Sequence, residues 1–294
     1  MLSFKEQLEL VDQGLATVKV DGHLSTFKYH RKVMYEYLWN KHPKLLECRG
    51  HVYDNRDGTV VQAAPRKSFN FLENNWWSGL QPTTPVNVYK KINGYMACVT
   101  LHRGDLIVST TGSTTSEYAQ WARELILKDY KLHSLVIDHD STCLFEVVLP
   151  QDPHIVEERI GLHYLGNRCK STGDFHPMRN LPVTQMYLQD ALNLAKIDKG
   201  EGFMVYRVND TYNQYPCKLK TPYYAGKKKL MRLSKSNVEL MYRDPKVIKG
   251  QIDFMWDAVV DRVLKEVPKQ VWLETPEQTR RTYLENFYES QYKS

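Results

Sequence analysis

Long apolar runs are missing from this chain of 294 residues: no stretch approaches the ~18–20 residues needed to cross a bilayer. The opening Met1-Leu2-Ser3-Phe4-Lys5-Glu6-Gln7 lacks the basic region and apolar stretch of a secretory leader. The expectation is a cytoplasmic, intracellular protein with no membrane partner. Cysteines are few, odd in number and far apart (Cys48, Cys98, Cys143, Cys169, Cys217), with no C-x-x-C pair, so they read as packed free thiols, not a disulfide framework or zinc cluster. With only 15 Gly and 13 Pro beside 42% hydrophobic and 25% charged residues, the composition excludes collagen-like, coiled-coil and disordered chains. There is no repeat of 20–50 residues, and no G-x-x-x-x-G-K-[ST] loop to cradle the phosphates of a P-loop kinase. Length allows one large domain, or one large and one small.

Acid is missing from one long stretch. Between Thr211 and Val238 there is no Asp or Glu, while Lys218, Lys220, Lys227, Lys228, Lys229, Arg232 and Lys235 follow one another. The whole chain carries +6, so the remainder is close to neutral and the excess charge sits in one place. Such a concentration suits a polyanion, a nucleotide or nucleic acid; a merely solvated basic face is the alternative.

From Glu47 to Lys220 short apolar or alternating runs dominate, broken by turns such as Asp57-Gly58 and Arg103-Gly104-Asp105. They predict strands at Val86–Lys91, Tyr95–Leu101, Leu106–Thr110, Ser141–Leu149, Gly202–Val208 and Pro216–Lys220, with helices near Ser116–Lys128 and Thr184–Ala195. After Pro222 the pattern turns helical. Gln251–Glu266 spaces Ile252, Met255, Trp256, Val259, Val260, Val263 and Leu264 as one helix face, and Thr275-Pro276-Glu277-Gln278 reads as a capping box opening a last helix. The expected class is α+β: a mixed body over residues 1–224 and a small all-α domain over residues 225–294.

Four places carry charge where strands should be apolar. Glu146 interrupts Leu144-Phe145-Glu146-Val147-Val148-Leu149, so it must face a cation, a metal or a ligand hydroxyl, or a structural ion pair. Glu201 stands between Gly200 and Gly202 at a strand mouth, where bare backbone admits a close neighbour, although such turns are common. Lys218 and Lys220 share one strand face and repel unless an anion lies between them; an edge strand guarded by lysines is the alternative. In Tyr89-Lys90-Lys91-Ile92-Asn93-Gly94 a strand ends in a lysine ahead of a turn glycine. A lysine amine can be a nucleophile when unprotonated, but periodicity does not choose between Lys90 and Lys91.

Taken in order, Lys91-Ile92-Asn93-Gly94, Phe145-Glu146, Glu201-Gly202 and Lys218-Leu219-Lys220 resemble the motifs K-x-(D/N/H)-G, carboxylate-in-strand, E-G and K-x-K of the covalent nucleotidyltransferases: RNA ligases, DNA ligases and messenger-RNA capping enzymes. Upstream, Arg49-Gly50 and Lys67-Ser68-Phe69-Asn70 resemble elements of the phage RNA ligase 1 and fungal tRNA ligase type. The resemblance covers about residues 45–224. It implies a nucleotidyltransferase body of ATP-grasp-like antiparallel sheets with flanking helices. It also implies a Mg2+-dependent enzyme, with Mn2+ as the alternative metal, that attacks ATP through Lys91, holds AMP there, passes it to an RNA 5′-phosphate and seals the end to a 3′-hydroxyl.

By the same resemblance Lys91, Lys218 and Lys220 are catalytic. The nucleotide pocket gathers Arg49, Lys67, Phe69, Tyr89, Lys90, Ile92, Gly94, Glu146, Glu201, Lys218 and Lys220, with Arg49 and Lys67 on the triphosphate and Phe69 or Phe71 on adenine. Glu201 and Glu146 are the residues implied for the metal, Glu201 holding a magnesium ion through water and Glu146 binding the ribose or helping to order the metal. Two departures stand out. Asn93 replaces the acid of many members, as in the fungal relatives, and Thr110-Thr111-Gly112-Ser113 stands where phage members commonly carry a lysine before Gly-Ser, so the triphosphate or RNA end is gripped differently here. The expected partner is RNA, tRNA included, in a repair role that extends to a phage-infected host cell, with a separate kinase/phosphatase to prepare the ends. The stretch Lys227–Arg232 is expected to track the RNA backbone, a solvated linker being the alternative. Competing readings are a ligase of nicked duplex DNA or RNA, and a non-catalytic RNA-binding protein on a ligase scaffold.

Overall fold

The computed structural model describes residues 1–129, 140–152, 154–178, 182–209 and 216–291. Among these, fourteen strands form three sheets. The first four, β1 (Ala16–Asp21), β2 (Leu24–Tyr29), β3 (Arg49–Asp54) and β4 (Val60–Gln62), pair antiparallel in chain order. Their core joins Phe27 and Tyr53 to Phe4 of the helix Phe4–Asp12, and Trp39 to Phe69. The hairpin β1–β2 precedes the region the sequence marks as strand-rich.

The remaining strands are β5 (Phe69–Asn70), β6 (Pro85–Lys90), β7 (Tyr95–His102), β8 (Asp105–Ser109), β9 (Ser141–Val148), β10 (Gly161–Cys169), β11 (Phe175–Pro177), β12 (Val183–Tyr187), β13 (Gly202–Arg207) and β14 (Cys217–Lys220). They form two five-stranded sheets, ordered β11-β10-β9-β7-β8 and β12-β6-β13-β14-β5, antiparallel except for the β14–β5 pair. Each sheet has a helix on its outer face. Ala122 and Ile126 of helix Glu117–Lys128 pack on Val99, Phe145 and Val147; Leu188, Ala191 and Ala195 of helix Leu188–Ile197 pack on Val86, Val205 and Leu219. The alternate residues of β9, Leu144 and Glu146, therefore point the other way. That alternation explains how an apolar run can hold a carboxylate: one face of β9 is core, the other lines a cleft.

The C-terminal helices Pro222–Met231, Lys235–Arg243, Pro245–Lys249, Asp257–Glu266, Lys269–Glu274 and Glu277–Ser290 surround a separate core. Tyr223, Trp256, Trp272, Leu284 and Tyr288 fill it, together with Ile155 and Val156 from the connection between β9 and β10. The α+β class and the helical C-terminal part are as the sequence leads one to expect. No helix of the described residues is long and apolar enough to cross a membrane, and all five cysteines are free, four of them buried.

The six expected strands are present with ends within one residue. Three local expectations are corrected. The helix expected over Thr184–Ala195 begins at Leu188, because Thr184, Gln185 and Met186 pair with Val88, Asn87 and Val86 as strand β12. The helix expected over Gln251–Glu266 begins at Asp257, since the Asp253 carboxylate accepts from Met255 N and turns Phe254–Trp256 into a 3₁₀ turn. Thr275 makes no capping box: its hydroxyl donates back to Val271 O at 2.6 Å, and Pro276 stands at the N-cap of the last helix with no side-chain cap. The basic stretch is corrected as well. Lys227 is buried, ion-paired to Glu285 and over the Tyr223 ring, so it serves the helical core and does not touch an RNA backbone.

Candidate active site

The cleft lies between the two five-stranded sheets, and strand register determines what faces it. In antiparallel sheets directly paired residues share a face. Tyr89 pairs with Met204 and Met204 with Lys218, which makes one row across β6, β13 and β14; Lys220, opposite Gly202, begins the next. The chain leaves β6 at Lys91, whose N–H donates to Gly202 O at 2.8 Å. From the other sheet Met96 pairs with Glu146, and Leu144 stands two residues along the same face. Arg49 joins from the first sheet. The cleft measures about 330 Å³, within the range of small-ligand pockets.

Lys91 points into this cleft and meets Glu201, Nζ to Oε2 2.8 Å. Asn93 Nδ2 donates to the same oxygen at 2.9 Å, while its Oδ1 accepts from Val156 N at 3.1 Å. This gives Asn93 a physical reason: an aspartate there would set carboxylate against carboxylate at Glu201. Lys90, the other candidate, borders the cleft but turns its amine out to Glu158 at 3.0 Å, its side chain 61% exposed. Gly94 N–H donates to Glu146 Oε1 at 3.0 Å. A Cβ on Gly94 would stand 2.4 Å from Val147 O and 2.9 Å from Glu146 Cγ, so only glycine lets this turn approach β9.

Charge is divided across the cleft. Glu146 is buried, and burial raises its pKa to about 7; the charge of Glu201 adds to the shift, while Lys91, the Gly94 N–H and Arg49 oppose it. Burial lowers the Lys218 pKa to about 7, assisted by the cations Arg49, Lys67, Lys91 and Lys220. A wall of cations that repel one another is suited to phosphate. Lys228 extends it, standing over the Tyr224 ring with its pKa lowered by burial and by Lys220, Arg232 and Lys91.

Of the residues singled out in the sequence, the cleft brings together Arg49, Tyr89, Lys90, Lys91, Ile92, Gly94, Glu146, Glu201, Lys218 and Lys220. Two lie elsewhere. Phe69 is fully buried between the Trp39 and Trp76 rings, at 5.5 and 5.1 Å, and has no open face for a base. Phe71 packs in the core beneath β6 and β13. Lys67 stands outside the lining, its ammonium 4.8 Å from the Phe69 ring and 5.7 Å from Trp39. Sequence reading missed the apolar end of the cleft, where Phe175 and Tyr206 lie near-parallel with centroids 6.3 Å apart, beside Met204 and Leu165. Only the period-2 spacing of Gly202, Met204 and Tyr206 on β13 hinted at it.

Sequence reading also missed the support under Arg49. Arg168 of β10 is fully buried at the cleft floor, where it pairs with Glu47 at 2.8 Å, donates to Gly173 O at 2.8 Å and bonds Ala64 O. Burial opposes the charge on Glu47, yet the Arg168 and Arg66 guanidiniums hold its pKa below the usual carboxylate value. Burial with Arg168 alongside pushes the His51 pKa down to about 3, so this imidazole stays neutral.

For a metal, the fit is one of donor chemistry. Glu146 and Glu201 put hard carboxylate oxygens at one cleft, as Mg2+ or Mn2+ prefers. No cluster of three His, Cys, Asp or Glu exists among the described residues, so water and phosphate oxygens would complete the shell.

No protein-family model matches the chain. Among curated proteins it is similar to a protein of Autographa californica nuclear polyhedrosis virus named "Putative bifunctional polynucleotide kinase/RNA ligase", 27% identical over 218 residues. That match covers 62% of this chain and 31% of the viral protein, so the chain spans about a third of its relative's length. Among solved structures it is similar to an archaeal ATP-dependent RNA ligase in two forms. Form 1 has a TM-score of 0.55 at 13% identity, covering 98% of this chain and 86% of that one. Form 2 has a TM-score of 0.53 at 14% identity, covering 97% and 75%. The likeness is one of fold: the chain shares the α+β arrangement of antiparallel sheets and C-terminal helices with those structures.

Proposed function

We propose that this protein is an ATP-dependent RNA ligase that joins a 5′-phosphate to a 3′-hydroxyl through AMP held on Lys91. The observation that carries the reading is the Lys91 amine, set against Glu201 in a nucleotide-sized cleft that it shares with Lys218, Lys220 and Arg49. Phe175, Tyr206, Met204 and Leu144 form the apolar end that takes the base. Lys91, as the free amine, attacks the α-phosphorus and pyrophosphate leaves. Lys218 and Lys220 stabilise the negative charge on the phosphoryl oxygens during that attack. Glu201 and Glu146 hold a divalent cation, which supplies charge neutralisation on the phosphates when bound. The AMP then passes to the RNA 5′-phosphate, and the 3′-hydroxyl displaces it. The match to a viral protein named as both kinase and ligase, of which this chain spans a third, supports a role in repair of broken RNA, tRNA included, in concert with end-healing activities.

The test is incubation of protein stripped of bound AMP with α-phosphate-labelled ATP or GTP and Mg2+ or Mn2+, followed by a denaturing gel. The expected result is label from ATP, chased into product by single-stranded RNA with a 5′-phosphate in preference to a nicked duplex. No label from either nucleotide would overturn the reading.

A second expectation concerns protons. The free Lys218 amine, with its pKa near 7, is mostly neutral at pH 8. A phosphate beside it favours the charged form, so binding takes up a proton at pH 8, whereas at pH 6 the amine is already charged. Calorimetry of Mg2+-free ATP binding in buffers of different ionisation enthalpy should show uptake at pH 8, diminished in Lys218→Met. Equal uptake in both proteins would contradict the assignment.

A further inference from the structure

Thr111 offers no cation in the Thr110–Ser113 turn, and the structure shows what stands beside that turn instead. Strand β2 pairs with β3 so that Lys28 lies directly opposite Arg49, with a register shift between Phe27 and Lys28 that leaves Gly50 as the extra residue of β3. Bulges of this kind re-aim side chains at the rims of sites. Gly50 takes φ +99°, and a Cβ there would stand 2.7 Å from Thr111 Cα, so the turn is seated on the bulge. Lys28 reaches the same turn: its Nζ lies 3.8 Å from where a Cβ of Gly112 would be. Lys19 from β1 donates to Ser113 Oγ at 2.8 Å and pins the turn from the other side.

Like charges directly opposite on neighbouring strands repel, and the groups acting on Lys28 are further cations, Arg49 and Arg31. Arg49 acts on Lys218 and Glu146 inside the cleft and on Lys28 at its rim. One row of cations therefore continues from Lys218 through Arg49 to Lys28, ending at a turn of small hydroxyl residues. We infer that Lys28 and Arg49, closed by the Thr111–Ser113 turn, form a phosphate subsite that takes the pyrophosphate end of the nucleotide. Lys28, supplied by the N-terminal hairpin, stands in for the cation that Thr111 cannot provide. The inference rests on the ligase reading for its ligand, and its chemistry is that of a polyphosphate. A 5′-phosphate of RNA shares that chemistry but reaches the site only after pyrophosphate has left.

Binding of inorganic tripolyphosphate, ATP and AMP to the full chain tests this by calorimetry, comparing the protein with Lys28→Met and Lys28→Arg. Lys28 is exposed, so neither variant threatens the fold. The expected result is a loss of about tenfold in affinity for tripolyphosphate and ATP in Lys28→Met, the size of one charged hydrogen bond. AMP binding should be unchanged and Lys28→Arg close to the parent. Unchanged tripolyphosphate affinity, an equal loss for AMP, or no tripolyphosphate binding by the parent would overturn the inference. So would a defect seen only when already adenylylated protein transfers AMP to 5′-phosphorylated RNA, which would make Lys28 an RNA-end residue. A parent that binds tripolyphosphate through Lys28 but forms no covalent adduct would refute the ligase reading and leave the subsite standing.

Discussion

Lys91→Ala is expected to reduce covalent labelling by ATP to background, while Lys90→Ala keeps it. The two lysines are neighbours, yet they leave β6 on opposite faces: Lys90 to Glu158 and solvent, Lys91 to Glu201 in the cleft. Only one can reach a phosphorus held by Lys218 and Lys220. Alanine at 91 retains the backbone N–H that bonds Gly202 O, and Glu201 keeps Asn93 as donor, so the cleft should survive the change. Removing a nucleophile eliminates the covalent route altogether. The control is therefore a preformed RNA-adenylate: Lys91→Ala, which cannot charge itself, should still seal it, because that last step needs no lysyl adduct. Label retained in Lys91→Ala, or lost equally in Lys90→Ala, would overturn the assignment of the nucleophile.

Arg168→Met should be the most damaging single change to stability away from the reacting atoms. It leaves Glu47 buried with weaker partners and abandons Gly173 O and Ala64 O. Breaking one side of a buried ion pair costs about 3–5 kcal/mol, a fall in Tm of about 10 °C for a chain of this size. The loss has a direction in pH. In the parent, the depressed pKa of Glu47 contributes stability above its unfolded value that is lost as pH falls through the folded one. In Arg168→Met that depression is reduced, so the gap between the two proteins narrows as pH falls through the depressed folded pKa of the parent, where Glu47 becomes protonated in both. Urea unfolding at pH 7.5 and pH 4 would read this, with Glu47→Gln/Arg168→Met recovering part of the loss. A Tm unchanged at pH 7.5 would show that the network does not hold β3, β10 and the cleft floor together.

The resemblance to RNA ligases rests on side chains whose chemistry is local. Lysine before Asn93-Gly94, a carboxylate inside the β9 run, and two lysines two residues apart on β14 each signal a group forced into apolar surroundings, and such conflicts are visible along the chain. The α+β class and the helical C-terminal part were equally legible, because periodicity of 2 and 3.6 is written into consecutive residues. Only the tertiary structure decided which lysine turns inward, since Lys90 and Lys91 differ by the face of one strand and register sets that face. Likewise it decided that Phe69 is core, that Phe175 and Tyr206 line the cleft, that Lys227 is buried against Glu285, and that residues 183–187 pair as a strand. These depend on which segments distant in sequence become neighbours. The same holds for Lys28 and Thr111, 83 positions apart in the sequence. A short-range pattern records what each residue prefers; the pairing of β2 with β3 and the bulge at Gly50 record where its charge is placed.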